Sequence, residues 1–179
     1  QDQILSMVVE QAMKYCRSIL QNVSRSFALT IPLVEKNILV PILVGYLEAR
    51  ILDSFEDENP GKGIETRDRA KYLAKVLSVI RNSDSLKSES AIREIAEAAT
   101  TMISNPHYLD LARNMDKVVE VHRTMEPHAQ SSISLWFGRM AEGMQKYLDK
   151  RIETFRQLDE YCYYVGGTVG GLVTDLIIR

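Results

Sequence analysis

Long apolar runs are missing from this sequence. The greasiest stretch, "ILVPILVGYL" between Asn37 and Glu48, has ten residues, whereas a helix needs about 20 to cross a bilayer. No membrane span is expected, although a greasy ligand would still draw the protein to a membrane surface. Cysteine is scarce as well: Cys16 and Cys162 stand far apart with no CxxC spacing, and His107, His122 and His128 make no HxxxH or HExxH pattern. Zinc is therefore not expected, and a reducing compartment fits. Basic excess is also lacking, since 22 Lys and Arg face 24 Asp and Glu for a net charge of -2, which argues against nucleic acid as a partner.

What remains is a 179-residue chain, 45% hydrophobic and 26% charged, of ordinary globular composition and long enough for one well-cored domain over residues 1–179. Strand signals are nearly absent and apolar residues recur at three and four, so the fold class is all-α. A first helix is expected over about 3–22, with Ile4, Val8, Met13, Cys16 and Leu20 along one side. Cap-type residues at Ser24 to Ser26 interrupt it. Pro32 and Pro41 should bracket a break before a second long helix from Pro41 to Glu58, which "NPGKG" would stop. Further helices are expected near 65–81, 90–103, 107–125, 128–152 and 158–178, separated by "NSDSLKSES" and by Pro106 and Pro127. The histidines should lie on helix surfaces, and Trp136 with Phe137 should fill core.

The second long helix is apolar almost all round except for one stripe. At about 100° per residue, Tyr46, Arg50, Asp53 and Asp57 fall within about 60° of one another. Asp53 and Asp57 repel at i and i+4, and both sit near the carbonyl end of the helix dipole, which disfavours anions by roughly 0.3–1 kcal/mol each. Local energetics therefore oppose this arrangement. A divalent cation would reverse both terms, because magnesium takes a few carboxylate oxygens, keeps water, and completes its shell with phosphate. The competing explanation is a solvated helix end in which Arg50 ties down Asp53 by an i to i+3 ion pair.

Four motifs, "SRSFAL" (24–29), "YLEARILDSFEDE" (46–58), "RMAEGM" (139–144) and "YCYYVGGTVGG" (161–171), together resemble the squalene and phytoene synthase family in the family's order. The resemblance implies an all-helical isoprenoid synthase bundle, of which this chain would be the N-terminal part. It implies a prenyltransferase that joins two prenyl diphosphates, farnesyl or geranylgeranyl, head to head through a cyclopropyl diphosphate. Asp53 and Asp57 would be magnesium ligands with Glu56 beside them. Arg25 and Arg50 would hold diphosphate oxygens at a site that includes Ser24, and Tyr46 would line the same pocket. Tyr161 would face the reacting carbons, while Val165 and Gly166 would border the isoprenoid chain. NADPH would be needed only for a squalene-type product. The sparse cysteines and a greasy ligand together lead to the expectation of a cytoplasmic setting, open to peripheral membrane association.

Gly166, Gly167, Gly170 and Gly171 each cost about 1 kcal/mol against alanine inside a helix. Close approach of another helix or of an isoprenoid chain would offset that. The family's second aspartate-rich motif is not found by Arg179, which falls inside an expected helix, and Asp175 does not replace it. The segment alone is accordingly expected to be inactive. The alternative function is a noncatalytic family relative acting in binding or assembly, whose mark would be decay of the first acidic motif and its arginines.

Overall fold

The computed structural model describes residues 2–57, 63–83 and 86–178. Every element among them is helical. They run α1 (Asp2–Val23), α2 (Arg25–Thr30), a short 3-10 turn (Ile31–Leu33), α3 (Lys36–Asp57), α4 (Thr66–Arg81), α5 (Leu86–Met102), α6 (Pro106–Arg113), α7 (Met115–Arg123), α8 (Pro127–Tyr147), α9 (Phe155–Cys162), a π-turn (Tyr163–Gly167) and α10 (Thr168–Ile177). The expected Glu58, most of "NPGKG" and the placement of Arg179 lie outside the described residues.

Helix α3 is the hub, packing against α1, α4, α6, α7, α8 and α10. Its sequence explains this: Leu43, Val44, Leu47, Ile51, Leu52 and Phe55 are all buried and point in several directions, so the helix is satisfied only when surrounded. A ring of neighbours covers it, with α1 on α7 and both α4 and α10 on α8. Phe137 on α8 fills core as expected. Trp136 beside it is half-buried, and its indole N–H donates to the Asp175 carboxylate at 2.6 Å.

Several expectations are corrected. Pro41 does not begin the helix but lies inside α3, which starts at Lys36. So near the N-terminus the missing N–H forfeits a single i to i-4 bond, and the ring is buried. The expected helix over 107–125 is two helices, because Asn114 turns the chain: its amide donates to the Asp110 carbonyl at 2.8 Å, and its oxygen accepts from Lys117 at 2.7 Å. On α1, Ile4 and Val8 are exposed, and the buried face begins only at Ala12. His122 is not on the surface but closed in the core, where its Nδ1 lies 2.8 Å from Glu48 Oε1. The expected helix over 158–178 is broken by the π-turn.

Candidate functional site

Three residues of the polar stripe on α3, though not Asp57, line a cavity of about 320 Å³ between α3, α8 and α10. Tyr46, Arg50 and Asp53 form one end. Val165 and Gly166 border it from the π-turn, and Ile42, Phe137, Val169 and Leu172 make an apolar far wall. Gly45 belongs to that wall too, where a Cβ would come within 3.1 Å of Leu172. Five of the sequence-derived site residues are thus brought to one cavity.

Arg50 is the centre of the polar end. Its Nη2 donates to the Tyr46 hydroxyl at 3.1 Å, and its Nη1 lies 3.4 Å from Asp53 Oδ2. The guanidinium carbon sits 5.7 Å from the Tyr46 ring centroid and 5.2 Å from that of Tyr108. These aromatic faces hold the cation in place. Its Nε is buried with no hydrogen-bond partner. Burial works against the charge of Arg50, but the Tyr46 hydroxyl and then Asp53 hold its pKa above the ordinary value. The anticipated ion pair with Asp53 therefore exists, yet it is not a solvated helix end: the two side chains are only 26% and 28% exposed.

The acids beside it are strained electrostatically. Burial pushes the Asp53 carboxyl up to about 6 against the pull of Arg50, with Asp57 adding to the rise. Glu56 is pushed up to about 7, first by burial and then by Asp57 and Asp53. The Tyr161 hydroxyl donates to Glu56 Oε1 at 3.3 Å, and burial followed by Glu56 raises the Tyr161 pKa in turn. Asp57 ends α3 and is exposed. Among the described residues no three His, Cys, Asp or Glu side chains converge as a closed metal site. Two carboxylates one turn apart, with Asp53 pushed up by burial and by Asp57, nonetheless fit an ion that keeps water and takes phosphate.

Ser24 and Arg25 lie apart from the cavity lining. The Ser24 hydroxyl accepts the Phe27 N–H at 3.2 Å and so caps α2, while Arg25 is exposed. This cap seats Phe27 against Tyr46, with centroids 4.7 Å apart, and Phe27 itself lines the cavity. Sequence reasoning missed Phe27, Tyr108 and Gly45. Phe27 lay within a quoted motif and Gly45 one residue before another, but Tyr108 carried no local signal.

The family model for squalene/phytoene synthase matches residues 20–179. The chain belongs to the squalene/phytoene synthase family. It is 29% identical over 165 residues to presqualene diphosphate synthase of Botryococcus braunii, covering 92% of this chain and 37% of that protein. To squalene synthase of Nicotiana benthamiana it is 31% identical, covering 87% of this chain and 34% of that one. The solved complex of TcSQS with the ligand E5700 superposes with a TM-score of 0.78 at 26% identity, over 93% of this chain and 44% of the other. The chain thus spans about a third of the length of the curated squalene/phytoene synthase relatives it matches.

Proposed function

We propose that residues 1–179 supply the first acidic motif and the chain-binding cavity of an enzyme that condenses two prenyl diphosphates head to head. The observation that carries this reading is the cavity itself, polar at Tyr46, Arg50 and Asp53 and apolar along Ile42, Phe137, Val169 and Leu172. A prenyl diphosphate has the same division, a charged head on a hydrocarbon chain.

In this reading Arg50 presents hydrogen-bond donors to the diphosphate, fixed in advance by Tyr46 and Tyr108, so little reorganisation is needed as negative charge grows on the leaving group. Asp53 and Asp57 would hold magnesium, with Glu56 beside them, and the bound ion would neutralise part of that charge. Arg25, near the cap of α2, would reach diphosphate from the rim. The apolar wall keeps water from the allylic cation while the double bond of the second substrate attacks it. Tyr161 would turn its ring to that cation and its hydroxyl to a departing proton, with Glu56 orienting the hydroxyl. A cyclopropyl diphosphate would form first, and NADPH would be consumed only on the way to a squalene-type product.

The test is to incubate the full-length protein with farnesyl diphosphate and magnesium, with and without NADPH. A C30 hydrocarbon or presqualene diphosphate is expected, and none from residues 1–179 alone. Recovery of intact substrate beside an active control enzyme would overturn the catalytic reading and favour a binding or assembly role.

A further inference from the structure

Between α9 and α10 the chain does something its sequence has no obvious need for. No proline interrupts residues 155–177, yet the backbone opens into a π-turn, in which the Thr168 N–H reaches the Tyr163 carbonyl five residues back. Such turns are rare, and they concentrate at functional sites because they insert an extra residue and re-aim the side chains on either side. One inserted residue rotates the downstream helix by about 100°.

Three contacts surround it. Thr168 is fully buried, and its hydroxyl donates to the Tyr164 carbonyl at 2.6 Å. The Tyr164 ring occupies the space above Gly143 of α8 that any Cβ would fill, and the Tyr163 ring does the same over Gly167. The glycine of "RMAEGM" and one glycine of "YVGGT" are therefore sockets for the two tyrosines of the turn. Upstream of the turn, the Tyr147 hydroxyl on α8 donates to Glu160 at 2.6 Å.

The turn sits between two halves of the candidate site. Just before it, Tyr161 reaches Glu56 at the acidic end of α3. Within and after it, Val165, Gly166 and Val169 border the cavity. We infer that Thr168 is a positioning residue: its hydroxyl, with Tyr164 seated on Gly143, locks the π-turn that sets the rotation of Tyr161 toward Glu56 relative to the cavity wall. Without that hydroxyl bond the segment relaxes toward a plain α-helix, losing one residue of register, and Tyr161 swings away from the acids. The catalytic consequence rests on the function proposed above; the geometric one does not.

The experiment is a double-mutant cycle in the full-length protein. Tyr161→Phe is made in the wild type, in Thr168→Val, which keeps the shape but not the hydroxyl, and in Thr168→Ser, which keeps the hydroxyl. Losing the hydroxyl bond to Glu56 is expected to lower Tm by about 2 °C in the wild type and in Thr168→Ser, and by less than about half of that in Thr168→Val. Equal drops in all three backgrounds, or no drop in any, would overturn the inference. Turnover gives the second readout. Thr168→Val should lower kcat about tenfold with KM and magnesium-dependent pyrophosphate affinity within about twofold, and Thr168→Ser should restore it. Unchanged kcat, or pyrophosphate affinity falling in parallel, overturns it equally. If the wild type turns nothing over, the proposed function fails, and the Tm cycle still decides the role of Thr168.

Discussion

Helix α3 carries two acid–base pairs on roughly opposite sides, and they have different surroundings. Glu48 and His122 are 0% and 1% exposed, enclosed between α3 and α7. Arg50 and Asp53 are 26% and 28% exposed and open onto the apolar cavity. Both pairs leave one polar atom without a hydrogen bond, Glu48 Oε2 on one side and Arg50 Nε on the other. An orphaned atom is therefore no mark of a site by itself. What separates the two is access: the Glu48 and His122 side chains are all but sealed, although His122 borders a separate pocket beside α4 and α8, whereas the cavity-facing pair is partly open and can meet a ligand.

Breaking the enclosed pair should have the largest effect on stability. His122→Phe leaves the Glu48 carboxyl buried with neither oxygen satisfied, and a loss of about 3–5 kcal/mol is expected in chemical denaturation. Removing the buried carboxyl as well, as Glu48→Leu with His122→Phe, should cost less than His122→Phe alone. A single-variant loss below about 1 kcal/mol would show that the back of α3 does not depend on this contact.

The next effect separates the glycines. Gly143→Ala forces the Tyr164 ring from its seat and should cost about 1–3 kcal/mol by overpacking. At Gly170, in α10, a Cβ would meet nothing within 4 Å, so Gly170→Ala should stabilise by about 0.5–1 kcal/mol through helix propensity. Thermal melts of the two variants should move in opposite directions, and movement together would refute the distinction between socket and open surface.

These contrasts show what was legible in the chain. The three-and-four spacing of apolar residues gave the helical class, and the acid stripe located Tyr46, Arg50 and Asp53 on one face, because both signals are local and periodic. Burial of His122 was not legible, since its partner is 74 residues away and a lone histidine carries no periodic signal. Tyr108 under Arg50 was hidden for the same reason. The π-turn was invisible because a glycine pair in a helical pattern signals close approach without saying that the register changes. Pro41 misled because position matters more than type: close to a helix start, one lost hydrogen bond is outweighed by burying the ring.

A smaller effect concerns pH and the cavity side alone. Glu56 and Asp53 are pushed up to about 7 and about 6, chiefly by burial, so the native state binds protons that the unfolded chain has already released. Their contribution to stability is fully present below the ordinary carboxylate range and is lost as pH rises through about 6 to 7. Metal-free protein should therefore melt at a lower temperature at pH 8 than at pH 5. Glu56→Gln should flatten that slope; an unchanged slope would assign it to groups elsewhere.

The smallest stability change and the sharpest functional one should coincide at Asp53. In the metal-free protein Asp53→Asn gives up an ion pair at 3.4 Å with Arg50, but it also removes a carboxylate that burial and Asp57 disfavour. The two terms oppose, so Tm should stay within about 2 °C of wild type. An amide cannot supply the anionic oxygen that magnesium requires, so metal-dependent pyrophosphate binding in calorimetry should vanish and turnover should fall by about 100-fold or more. The opposite result, marked destabilisation with pyrophosphate binding intact, would make Arg50 and Asp53 a second structural pair like Glu48 and His122. The two sides of α3 would then differ only in how much water reaches them.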